Sequence, residues 1–262
     1  MKGFLMGLMT ITCLAILVSG NIYWKQQTTI TDAKSEDRQV ENKEKSDKVR
    51  IITNDNFDVY LNLTGGWPAQ AKATYEEALL EGTPFSIAII GSDAMNSVEN
   101  GWDQLVTKKI EENFDDTITT YSLPYNNTTT SFVEDSVYEE AIEQKPDLII
   151  FEPFTLNDNG LVLIEDSLLI IENIQTAFSK ENPDTVFILM PPQPLYMPNG
   201  YQNQVNALAE YVEENEIPYI NHWENWPATD DILIKDYLDE ESNPNDKGHK
   251  AWASAITDLL IQ

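Results

Sequence analysis

From residue 86 onward, short and wholly apolar runs alternate with longer amphipathic stretches, and that rhythm limits the fold more than any other feature. Ser86-Ile-Ala-Ile-Ile90 is such a run, ending at Gly91, and suits a buried strand. Trp102–Phe114 then places apolar residues at 102, 105, 106, 110 and 114, which is helical spacing. Thr117–Ser122 alternates as a strand, and Ser131–Ile142 reads as a helix. The turn at Lys145-Pro146-Asp147 feeds an apolar strand through Phe151, and Leu161–Phe178 reads as a long helix. Val186–Met190 is a fourth strand, stopped by Pro191-Pro192. Tyr201–Asn215 is a helix, Pro218–Ile220 a short fifth strand and Asn245–Leu260 the closing helix, while Trp67–Glu81 is one extra helix ahead of the first strand. Apolar strands separated by helices predict an α/β fold: a five-stranded, mostly parallel sheet with helices on both faces, in three layers. Ligands of such folds lie beyond the C-terminal ends of the strands. The segments of interest are therefore 91–101, 123–130, 152–160, 191–200 and 221–249.

The chain ahead of this body divides in two. Gly3 to Trp24 carries no charge and is bracketed by Lys2 and Lys25. Its centre, Phe4 to Val18, has the length of a signal-peptide core. Counted through Trp24, the run approaches the roughly 20 residues that cross a bilayer as a helix. Val18-Ser19-Gly20 suits a cleavage site and Tyr23-Trp24-Lys25 an interfacial anchor, so residues 1–24 are a signal peptide or an N-terminal membrane anchor. Cys13 lacks the Leu-x-Gly/Ala that precedes a lipoprotein cysteine. Residues 25–50 are rich in charge and poor in aliphatics, as in a flexible linker. Residues 51–262 then form a single domain. On either reading that domain lies outside the cytoplasmic membrane, secreted or tethered, and meets the membrane only through the N-terminal segment.

Residues 51–262 hold 8 Lys, no Arg and 38 acidic side chains, a net charge of −30. Such a domain repels phosphate backbones and anionic headgroups, which argues against nucleic acid as a partner. Without arginine it also lacks the bidentate clamp of most phosphoryl-transfer sites. The single cysteine excludes an intrachain disulfide and a cysteine-based zinc site.

Three blocks fall in the segments of interest. Gly91-Ser92-Asp93-Ala94-Met95 follows the first strand, Glu152-Pro153-Phe154-Thr155-Leu156-Asn157-Asp158-Asn159 follows the third, and Asn243-Pro244-Asn245-Asp246-Lys247-Gly248-His249 precedes the last helix. Over residues 85–262 this order resembles the SGNH/GDSL hydrolases, whose Gly-Asp-Ser, Asn-Asp and Asp-x-x-His-Pro-Asn blocks occupy the same places. The resemblance implies a flavodoxin-like SGNH-hydrolase fold and acyl transfer to water, by a serine nucleophile, a histidine base and an oxyanion hole. It implies no metal or organic cofactor.

Two positions depart from that pattern. In the straight register the nucleophile position carries Asp93 and the base position Asn243, whose amide cannot accept a proton near neutral pH. The glycine after the second strand is also missing, and Asn126 or Asn127 would have to take its place in the turn. Asn157 is retained as an oxyanion donor. A shifted triad would use Ser92 as nucleophile, His249 (or His222) as base and Asp246 as orienter. With such a triad, the resemblance implies a hydrolase acting on acyl, including O-acetyl, esters of extracellular or cell-envelope carbohydrate. The alternative is a catalytically silent protein binding a glycan or envelope partner at the same edge. Each residue also has a plainer reading. Ser92-Asp93 could cap the following helix, Asn157-Asp158-Asn159 could be an Asx turn, and both histidines could be packed. Trp223, Trp226, Tyr196 and Tyr201 could offer flat rings to a sugar or simply fill the core. The proline-rich loop 191–198 stiffens that rim.

Overall fold

The computed structural model of the protein describes residues 54–95 and 100–262. The expected signal peptide or anchor (1–24) and the expected linker (25–50) lie outside this range. Among the described residues no helix is long and apolar enough to cross a membrane.

The apolar runs become strands because both of their faces are covered. β1 (Phe85–Ser92), β2 (Ile118–Tyr125), β3 (Leu148–Phe151) and β4 (Val186–Leu189) form one sheet in the order β2-β1-β3-β4. All three strand pairs are parallel. Side chains alternate between two cores. Ile87 and Ile89 of β1, Ile150 of β3 and Ile188 of β4 point into one, with Ala88, Ile90, Phe151 and Leu189 in the other. The first core is closed by α1 (Asn54–Leu63), α2 (Ala69–Glu81), α3 (Trp102–Phe114) and α9 (Asp246–Leu260). The second is closed by α4 (Thr129–Glu134), α5 (Val137–Glu143), α7 (Ile164–Glu181) and α8 (Tyr201–Glu214). A one-turn helix, α6 (Thr155–Asp158), follows β3 directly. Three layers result, as the sequence predicts.

The differences have local causes. The expected fifth strand is reduced to a single parallel bridge, Leu189 to Tyr219, because Pro218 brings no N–H and the chain turns at once into a 3-10 segment, His222–Asn225. The single helix expected over 131–142 is two helices, broken where Ser136 takes φ 55°. The long helix begins at Ile164 rather than Leu161, because the N–H groups of Leu161 and Val162 turn back onto the Asp158 carbonyl, at 2.8 and 2.9 Å. Helix α1 and the 3-10 turns have no counterpart in the sequence reading.

Candidate functional site at the C-terminal edge of the sheet

β1 does not stop at Gly91. It runs on through Ser92, which pairs with Tyr125 of β2 and is buried, so Ser92 is a strand residue and not a helix cap. The cap of α3 is Gly101, with no side-chain bond. Asp93 begins the 3-10 turn Asp93–Met95 and is exposed.

The neighbour of Ser92 is a residue to which the sequence reading gave no role. Glu152 leaves β3 opposite Gly91, with its N–H on the Ile90 carbonyl at 2.8 Å. Its side chain is wholly buried, and Oε2 accepts the Ser92 N–H at 2.5 Å. Gly91 permits this approach, since a Cβ there would lie 2.9 Å from both Glu152 Oε2 and Met95 Sδ. Burial pushes the Glu152 carboxyl up to about 8 against the opposing Ser92 backbone and side-chain bonds, and the charges of Asp93 and Asp158 push the same way. The group is therefore a neutral acid at pH 7. Oε1 has no partner among the described residues.

The Asn-Asp block is divided between two tasks. Asn157 Nδ2 donates to the Asn127 carbonyl at 3.0 Å, joining the loop after β3 to the one after β2; Asn126, beside it, is exposed. Asp158 is buried and accepts from the Thr129 N–H (2.9 Å), the Thr129 hydroxyl (2.7 Å) and the Ser167 hydroxyl (2.6 Å). It thereby anchors the first turn of α4 and the first turns of α7.

The last block is built around Asn245. Its Oδ1 caps α9 through the Lys247 and Gly248 N–H groups, at 2.9 and 3.4 Å. Its Nδ2 reaches the Asp236 and Leu238 carbonyls. The Asn243 N–H donates to Asp239 Oδ1 at 2.8 Å, and the Asn243 carbonyl accepts the Asp239 N–H at 2.8 Å. Asp246 is exposed, and its charge acts on His249. His249 lies 1% exposed, and its Nδ1 accepts the Trp102 N–H at 3.2 Å, so the imidazole tops the N-terminus of α3. Burial lowers its pKa; the Asp246 charge, the Pro244 carbonyl and the Asp239 charge oppose this. Gly248 is needed here, because a Cβ would sit 2.4 Å from the Tyr237 carbonyl and 2.7 Å from Trp226. Gly248→Ala should cost about 1–3 kcal/mol by overpacking, read as a lower urea midpoint at unchanged slope. An unchanged midpoint would mean the helix start yields freely.

His222 is a core residue. Nε2 meets the Pro191 carbonyl at 2.8 Å, Nδ1 accepts Trp226 Nε1–H at 3.1 Å, and the ring stacks on Trp252 with centroids 4.1 Å apart. Burial pushes its pKa down to about 3. With both nitrogens engaged and no exposure, it is not placed to act as a base. Its bond belongs to a series in which three successive carbonyls accept from side chains: Pro191 from His222, Pro192 from Trp223 Nε1 (2.7 Å) and Gln193 from the Tyr201 hydroxyl (3.1 Å). Of the four candidate aromatics, Tyr201 and Trp226 are buried. Trp223 and Tyr196 are half-buried, the latter under the Lys235 ammonium at 4.3 Å. Among the described residues no three His, Cys, Asp or Glu side chains are grouped as metal ligands.

The structure thus brings Ser92, Asp93 and Glu152 together at one edge, joins Asn157 to the Asn126-Asn127 loop, and sets the imidazole of His249, on α9, over the N-terminus of α3. His222 stands apart in the core.

The same architecture occurs in solved hydrolases. A carbohydrate esterase family 3 protein from Talaromyces cellulolyticus superposes with a TM-score of 0.57 at 15% identity, covering 67% of this chain and 96% of that one. A lipase/acylhydrolase from Enterococcus faecalis gives 0.55 at 15%, covering 66% and 94%. An acetylxylan esterase from Geobacillus stearothermophilus, in a catalytic-mutant form, gives 0.52 at 14%, covering 67% and 94%. No protein-family profile and no curated relative matches the sequence. The chain has the fold of the SGNH/GDSL hydrolases, as its three blocks imply. At these identities the likeness is one of architecture.

Proposed function

We propose that this protein uses the esterase fold to bind a neutral carbohydrate at the C-terminal edge of the sheet, outside the cytoplasmic membrane, without hydrolysing it. The observation that carries this reading is the fate of Ser92. Its N–H, which an acyl-transfer site would aim at the oxyanion, is taken by the Glu152 carboxyl, and its side chain bonds the same group. The straight-register nucleophile, Asp93, is an exposed carboxylate that would repel a developing oxyanion. A net charge of −30 over residues 51–262 favours an uncharged ligand, and the half-buried faces of Trp223 and Tyr196 suit a sugar ring. Two of the similar structures are named for carbohydrate esterase activity. The apolar run and charged linker at the N-terminus support the location.

One observation favours hydrolysis instead. His249, held neutral by burial, is in the protonation state a general base requires. In that reading Ser92 would rotate off Glu152, His249 would take its proton, Asp246 would orient the ring and Asn157 would serve the oxyanion, on an acylated carbohydrate. The full chain, assayed on short-chain p-nitrophenyl esters and acetylated xylan, separates the two. The expected result is no turnover above background alongside retention on a glycan column. Turnover that disappears in both Ser92→Ala and His249→Ala would establish the hydrolase.

A further inference from the structure

We propose that Glu152, Thr155 and Gln193 form a hydroxyl-binding socket beyond the ends of β3 and β4, receiving one hydroxyl of a sugar whose ring lies against Trp223. The inference rests on the carbohydrate reading above and names the residues that select the ligand.

Five buried side-chain polar atoms lack partners among the described residues; two, Trp102 Nε1 and Asp103 Oδ1, belong to the start of α3, and the other three are Glu152 Oε1, Thr155 Oγ1 and Gln193 Oε1. All three residues are at most 3% exposed, and an unpaired buried polar group costs about 1–3 kcal/mol. The three belong to one neighbourhood. Glu152 and Thr155 flank the tight turn in which the Thr155 N–H meets the Pro153 carbonyl at 2.7 Å. Met190, at the start of the segment leading to Gln193, bonds the Phe151 carbonyl beside Glu152 at 3.1 Å. Tyr201 links the two sides: its hydroxyl holds the Gln193 carbonyl, and its own ionisation is opposed first by burial and then by the nearby Glu152 carboxyl. Trp223 packs against Tyr201 with ring centroids 5.9 Å apart and carries the half-buried face.

The backbone cannot supply the missing partners. Pro191, Pro192 and Pro194 bring no N–H groups, and the carbonyls of 191, 192 and 193 already accept from side chains. The net charge of the domain disfavours an anion here. A hydroxyl fits, because it donates and accepts at once. It can serve the Thr155 hydroxyl, a protonated carboxyl and the Gln193 amide in either orientation.

Calorimetric titration of the full chain with xylotriose, acetylated xylotriose and chitotriose, beside Thr155→Val and Gln193→Leu, tests the socket. Each variant should bind at least tenfold more weakly while melting no lower than the wild type, because an apolar replacement removes an unpaired polar atom. Unchanged affinity in both variants overturns the socket and leaves the carbohydrate reading standing. A wild type that binds none of the three sugars overturns both. A variant that melts well below the wild type at unchanged affinity assigns these atoms to structural water and also overturns the socket.

Discussion

Glu152→Gln should be more stable than the wild type at pH 9 and close to it at pH 5. The sign follows from linkage. The carboxyl ionises near 4.5 when unfolded and is pushed up to about 8 in the folded protein by burial. Its folded-state proton thus contributes stability that is complete below pH 4.5 and is lost as pH rises through 8. A glutamine keeps the shape and an acceptor for the Ser92 N–H, yet cannot ionise. The difference at alkaline pH should be of the order of a few kcal/mol. Urea unfolding of both proteins at intervals from pH 5 to 9 measures it directly. Parallel stability curves would mean that Glu152 is solvated, and the description of its environment would fail.

Asp158→Ala should be destabilising by ~3 kcal/mol or more, since it removes one acceptor from three buried donors. The Thr129 N–H, the Thr129 hydroxyl and the Ser167 hydroxyl all converge on this carboxylate. Losing it unties the start of α4 from the start of α7. Asp158→Asn keeps the volume but turns an amide donor toward one of the three, so it should recover only part of the loss. Hydrogen exchange should localise the damage to residues 129–134, while β1 and β3 stay protected. A midpoint change worth less than about 1 kcal/mol would place Asp158 among ordinary surface carboxylates.

The layers were legible because the strands are buried on both faces and therefore read as unbroken apolar runs. Trp102, Val106, Ile110 and Phe114 gave α3 its limits through spacing alone. The fifth strand misled because a short apolar run beside a proline looks the same whether it forms a ladder or one bridge. The site was less legible. Nothing periodic marks Glu152, whose burial depends on a missing Cβ at Gly91, some sixty residues earlier in the chain. His249 drew attention through its distance from Asp246. Its place on the stripe of His249, Trp252, Ala253, Ile256 and Leu260 was the more informative signal, and that stripe faces inward. Likewise His222 stands four residues before Trp226, the residue that bonds it. Asn157 follows β3, and its amide is spent on the Asn127 carbonyl.

Trp102 and Trp252 stack at 5.0 Å, and Trp252 also stacks on His222 at 4.1 Å. Three segments distant in sequence are thus threaded on one column of flat rings beneath the rim. The closing helix cannot shear along α3 without breaking both stacks, nor can the 222–225 turn move away without breaking the one with Trp252. Any rearrangement at that edge is left to the loops above the column.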